Sequence, residues 1–287
     1  MTFDFDWVDA FTGVAFGGNG CAVVHEGGDV PEAVACAFVR ETSLVECTFT
    51  GPSQAAEVRV RYFLADREIP FAGHPTVATV VAMRRRGLIG DGDVVLETGA
   101  GLVPVRVQGN HVTMTQVAPA FGAQVDPALV AAVGALSADD FAAPPQVVST
   151  GLPFVIALLR DMDAVRRVRL DAQALERMMS VIDGPVMEPF WATLHGGPED
   201  TFARLLLPPP MPPEDPFTGS ATGALGAFLW AHGLIEAPAF TAAQGHEMGR
   251  PGTAQVRVLG PRDAITGVEV AGEGFVLMSG TVDLPHG

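Results

Sequence analysis

One segment of the chain occurs twice. Glu68-Ile69-Pro70-Phe71-Ala72-Gly73-His74-Pro75-Thr76 aligns without a gap on Glu214-Asp215-Pro216-Phe217-Thr218-Gly219-Ser220-Ala221-Thr222 at an offset of 146 residues. The match runs on to Gly87-Leu88-Ile89 and Gly233-Leu234-Ile235, with nine identities in 22 positions. An offset of about half the 287-residue chain is far longer than a solenoid period and points to two copies of one domain. The expected division is 1–117, with a last strand 275–287 returning to it, and 118–274.

The local patterns agree on what each copy contains. Alternating or β-branched runs predict strands at Phe3 to Asp9, Cys47 to Gly51, Val58 to Leu64, Val94 to Glu97, Leu102 to Gln108 and His111 to Thr115 in the first half. The second half has them at Pro153 to Leu159, Phe202 to Leu207, Ala254 to Leu259, Val268 to Val270 and Phe275 to Met278. Helices are predicted at Pro31 to Arg40, Pro75 to Arg86, Asp171 to Val181 and Ala221 to His232. The repeated helix of the first half, Val-Ala-Thr-Val-Val-Ala-Met, is apolar nearly all round, so it must be buried. Short strands around one or two helices, one of them buried, make each half a sheet curled around a helix, an α+β fold. Pro208 to Pro213 cannot continue a ladder and reads as the loop that delivers Glu214 and Asp215 to the second helix start.

Composition removes whole classes of function. Seventeen basic against 33 acidic residues give a formal charge of −16, which repels nucleic acid and anionic membranes. All the basic residues are Arg, so chemistry that needs a lysine amine is excluded. Three cysteines, Cys21, Cys36 and Cys47, without C-x-x-C spacing suggest reduced thiols and no zinc site. An acidic start and no apolar run near 20 residues suggest a cytoplasmic protein with no signal peptide or membrane span. Gly99-Ala100-Gly101 is too short for a dinucleotide loop, and Gly-Ser-Ala-Thr-Gly around Ser220 is not a nucleophile elbow. His25, His111, His195, His232, His246 and His286 show no metal-ligand spacing and read as surface or loop residues. The expectation is an enzyme with neither cofactor nor metal.

Both copies place a Gly at the start of the buried helix, where free N–H groups and the positive helix end favour an anion. If the copies face each other across a pseudo-twofold axis, the helix starts meet in one cleft that suits a small carboxylate, with His74 and Asp215 lining it. The plainer alternative is that Asp215 caps its helix and His74 is a satisfied loop residue.

These segments, with Glu41-Thr42-Ser43-Leu44-Val45-Glu46-Cys47-Thr48-Phe49 and Gln244-Gly245-His246-Glu247-Met248-Gly249-Arg250-Pro251, make the chain resemble the PhzF-like phenazine-biosynthesis isomerase family over nearly its whole length. The resemblance implies the diaminopimelate epimerase-like fold, two similar domains of a sheet rolled around a central helix. It also implies Glu46 as the catalytic acid/base, with His74, Asp215 and Ser220 as polar substrate contacts. The backbone of Gly73, His74, Gly219 and Ser220 becomes a carboxylate cradle. The implied reaction moves a proton between ring carbons of a small cyclic acid, as in isomerisation of 2,3-dihydro-3-hydroxyanthranilate. The implied partner is that small carboxylate, and a homodimer is the expected assembly. Related racemases and epimerases carry a cysteine in each Gly-rich loop. Ala72 and Thr218 stand there in this chain, which disfavours two-thiol stereo-inversion. Gly20 and Thr222 depart from the family's usual Pro and His, which bears on the substrate rather than the fold. A non-catalytic member that binds a small molecule or regulates remains the alternative.

Overall fold

The computed structural model describes residues 1–209 and 211–285. It divides into two compact units, Met1–Met114 with Ala271–Gly287, and Thr115–Val270.

The first unit is built from β1 (Thr2–Ala10), β2 (Asn19–Val24), β3 (Cys47–Gly51), β4 (Val58–Phe63), β5 (Glu68–Ile69), β6 (Gly92–Thr98), β7 (Gly101–Gln108) and β8 (His111–Gln116), whose last residues lead into the second unit. Neighbours pair antiparallel, except that β2 lies parallel to β3 and β4 parallel to β6. Parallel neighbours need a crossover. The helix α1 (Glu32–Thr42) supplies the first and α2 (Gly73–Arg85) the second. Residues Gly73 to Met83 of α2 are all buried, as its apolar circumference requires. Its two interior threonines fit because their hydroxyls are bonded. Thr76 donates to the Ala72 carbonyl and meets Tyr62, while Thr79 donates to the Pro75 carbonyl and meets Thr48. Left unpaired, each would cost about 1–3 kcal/mol. A separate cluster of Val24, Val39, Cys47, Phe49 and Phe63 packs α1 on the sheet.

The second unit contains β9 (Ala120–Gln124), β10 (Gln146–Ser149), β11 (Pro153–Leu159), β12 (Met187–Thr193), β13 (Thr201–Leu206), β14 (Glu214–Asp215), β15 (Ala239–Gln244) and β16 (Gly252–Leu259). Here β11 lies parallel to β12 and β13 parallel to β15. Among the described residues four α-helices are present rather than one or two: α3 (Pro127–Gly134), α4 (Met162–Arg167), α5 (Ala172–Val181) and α6 (Gly219–Ala231). The additional ones start on aspartate caps, Asp126 accepting from the Ala128 N–H and Asp161 from that of Ala164. They pack around Trp191, Phe202, Leu175 and Val165. The central helix is α6. Glycine within it is unfavourable, yet a Cβ at Gly223 would lie 1.8 Å from Gln116 Oε1 and one at Gly226 2.9 Å from Val256. Their absence lets the sheet close on the helix.

The repeat is explicit in the elements: β5 and β14, and both ends of α2 and α6, are each 146 residues apart. The two short strands predicted near the C-terminus are instead one, β17 (Gly267–Asp283), pairing along the length of β1 with a register shift at Trp7 and Val8. The glycines at 272 and 274 hid it; a Cβ there would meet Phe11 and Val81 at 2.4 and 2.8 Å, so close packing excludes side chains without ending the strand. His25 is also corrected. It is buried, with Nε2 2.8 Å from Asp6 Oδ2, because Asp6 also accepts from Arg86 and Ser279 and forms a buried polar cluster. His286, and Pro210 of the proline-rich loop, lie outside the described residues.

Candidate active site

In the first unit, Glu46 directly precedes β3, and His74 is the second residue of α2. The structure brings them together: His74 Nδ1 lies 3.5 Å from Glu46 Oε2 and 3.1 Å from Asn19 Nδ2. The Glu46 side chain is 14% exposed and that of His74 5%, so the pair sits at the rim of the buried core. Burial is the main cause that pushes the His74 pKa down to about 3, against a hydrogen bond to the Gly20 backbone. At neutral pH the ring is uncharged, with one N–H and one lone pair. Its Nε2 is buried with no hydrogen-bond partner among the described residues. The first turn of α2 has no side-chain cap, so the Gly73 and His74 N–H groups keep the anion-binding character of a helix start.

The His74 shift has a defined pH signature. Its folded pKa is depressed, so above pH ~6.5 the group contributes nothing, and as pH falls from ~6.5 toward 3 the unfolded chain takes up a proton that the native state refuses. Stability therefore falls on acidification through that window. The His74 imidazole should show no titration by NMR between pH ~5 and ~8; a midpoint near 6.5 would contradict its burial.

The second unit repeats the plan with different side chains. Asp215 lies on β14 and is 5% exposed. Its Oδ2 accepts from the Thr218 hydroxyl at 2.5 Å, and Thr218, the cap residue of α6, makes no side-chain cap bond. Gly219 and the half-buried Ser220 open α6. Gln116 donates to the Gly219 carbonyl at 2.9 Å and accepts from Thr150 at 2.5 Å. Behind β14, Glu214 forms a two-pronged ion pair with Arg204 at 2.9 and 2.7 Å. Glu46, His74 and Gly73 thus belong to one unit, and Asp215, Gly219 and Ser220 to the other.

Asn19, Gln116, Thr150 and Gln244 had no role in the sequence reading. Each is an amide or hydroxyl whose partner is distant along the chain, so no spacing rule exposes it; only the Asn19-Gly20 and Gln244-Gly245 pairs hint at polar turns.

Burial pushes the Cys47 thiol up to about 12 and that of Cys21 well above its ordinary value, so neither is a thiolate at neutral pH. Ala72 and Thr218 occupy the cap positions of α2 and α6. A cleft of about 940 Å³ opens at the other end of α2 from His74, lined by Asp4, His25, Thr50, Glu57, Met83 and Arg86, and contains none of the residues above. No helix among the described residues is long and apolar enough to cross a membrane.

The fold is shared with solved structures of a PhzF-family protein and of an epimerase. A structure of a PhzF-family phenazine biosynthesis protein from Bacillus anthracis matches at a TM-score of 0.85, with 23% identity over 98% of this chain and 99% of that one. A hydroxyproline epimerase from Agrobacterium vitis matches at 0.67, with 17% identity over 98% and 91%. The Pseudomonas aeruginosa trans-2,3-dihydro-3-hydroxyanthranilate isomerase is 32% identical over 95% of this chain and 96% of its own. The family model for phenazine biosynthesis-like proteins matches residues 8–280, and the chain belongs to that family. It is an isomerase with the diaminopimelate epimerase-like fold.

Proposed function

We propose that the isomerisation is a proton transfer between carbon atoms of a small cyclic carboxylate, of the trans-2,3-dihydro-3-hydroxyanthranilate type, carried by Glu46 without a cofactor. The observation that supports it most is the contact between Glu46 and an imidazole that is neutral at pH 7. With its pKa near 3, His74 cannot be the acid, so of the two groups only Glu46 can take a proton from carbon and return one. His74 then serves as a neutral hydrogen-bonding contact. Gly73 in one unit, and Gly219 and Ser220 in the other, offer helix-start N–H groups suited to a carboxylate, and Asp215 offers a polar contact. The names of the relatives support the substrate class.

The test is incubation of the enzyme with trans-2,3-dihydro-3-hydroxyanthranilate in D₂O. The product should carry deuterium at a ring carbon, while absence of both turnover and incorporation would overturn the proposal. Asp215→Ala should raise KM and lower kcat together, because an orienting contact is lost and the proton carrier is kept.

A further inference from the structure

Three buried side chains of the second unit form a directed chain of hydrogen bonds that ends on the Asp215 carboxylate. Gln244, the last residue of β15, is 1% exposed. Its Oε1 accepts from the Thr218 N–H at 3.0 Å, and its Nε2 donates to the Asp215 carbonyl at 2.8 Å and to Thr218 Oγ1 at 3.1 Å. An amide N–H can only donate, so it occupies a lone pair of the Thr218 hydroxyl and turns the hydroxyl proton away. That proton points at Asp215 Oδ2, 2.5 Å distant, the length of a hydrogen bond onto a charged acceptor.

Thr218 stands at the cap position of α6, where a threonine ordinarily gives its oxygen to a free helix N–H. Here it makes no such bond. The hydroxyl serves Asp215 instead. Gln244 meanwhile holds the backbone on both sides of the Asp215–Thr218 turn, and Thr222 fixes the Thr218 carbonyl at 2.9 Å. The carboxylate and the helix start are therefore set in one fixed relation before any substrate arrives.

We infer that Thr218 and Gln244 are positioning residues for the isomerisation, acting through Asp215 rather than on the substrate. The inference rests on the reading of Asp215 as a substrate contact. A side chain that works only through Asp215 must lose its importance once Asp215 is gone, whereas one that merely supports the fold must not.

The experiment is a double-mutant cycle in the deuterium-incorporation assay, with melting temperatures to confirm folding. Thr218→Val, which keeps shape and removes the hydroxyl, should lower kcat/KM about 10–100-fold, raising KM and lowering kcat together as Asp215→Ala does. Thr218→Ser should lie within about threefold of wild type, since the hydroxyl returns. On an Asp215→Ala background, Thr218→Val should change the rate by less than about twofold. Equal losses on both backgrounds, or a Thr218→Ser enzyme as slow as Thr218→Val, overturn the inference. Wild-type kinetics in Asp215→Ala alone would overturn the underlying reading of Asp215, a different failure seen in a different variant. If Thr218→Val does not fold, Gln244→Glu enters the same cycle. It keeps an acceptor for the Thr218 N–H and removes the donor to Thr218 Oγ1, and additivity with Asp215→Ala again overturns the inference.

Discussion

Glu46→Gln should slow deuterium incorporation by about 10²–10⁴-fold, equivalent to about 3–5 kcal/mol in the barrier, while substrate affinity stays close to wild type. The substitution preserves size, so the 3.5 Å approach to His74 can persist and the fold has no reason to change. What is lost is the carboxylate to which the proton transfer is assigned. His74 cannot replace it, because burial holds its pKa near 3. Cys47 cannot either. It is the next residue along, but its thiol is held near 12 and it is wholly buried on β3. Cys47→Ser should therefore leave the rate within about threefold. Undiminished exchange in Glu46→Gln, or exchange abolished in Cys47→Ser, would reverse the assignment.

The parts of this fold that were legible in the sequence are those whose signal is local. The repeated Gly-started helices appear at Gly73–Arg85 and Gly219–Ala231, because burial on all sides writes itself into an unbroken apolar run. Strands such as Cys47–Gly51, an alternating segment, and Pro153–Leu159, an apolar run, were legible to the residue. The short helix at Pro127–Gly134 escaped: Ala-Leu-Val-Ala-Ala-Val has no amphipathic stripe, and only the Asp-Pro start marks it. β17 was split because glycines inside a strand look like its end, when here they admit Phe11 and Val81. Within the candidate site, charged residues were legible and amides were not. Glu46 and Asp215 stand in recognisable motifs. Asn19 and Gln244 owe their roles to partners 55 and 26 residues away in sequence.

The repeat also carries an ion pair whose two copies should differ sharply in weight. In the first unit Arg61 on β4 grips Glu68 on β5 at 3.0 and 2.6 Å; in the second, Arg204 on β13 grips Glu214 on β14 at 2.9 and 2.7 Å. Both tie down the short strand that leads to a central helix. Glu68 is 35% exposed, so water screens its pair, and Glu68→Gln, which leaves the Arg61 bonds to the Gly28 and Val30 carbonyls in place, should cost about 1 kcal/mol or less. The second pair is 10% and 11% exposed, and Arg204 also donates to the Val165 carbonyl at 3.2 Å. Arg204→Met would leave a buried carboxylate and that carbonyl without their partner, a loss of about 3–5 kcal/mol. Removing both charges in Arg204→Met/Glu214→Leu should recover most of it, since the cost comes from the stranded charge rather than from the lost attraction. Because two units need not unfold together, hydrogen exchange resolved by peptide is the measurement, read at β12, β13 and β14. A double variant no more stable than Arg204→Met would mean that the pair's geometry, rather than its charge balance, holds β14. Asp215, the next residue after Glu214, makes the consequence functional: destabilised β14 should raise KM in the single variant and return toward wild type in the double.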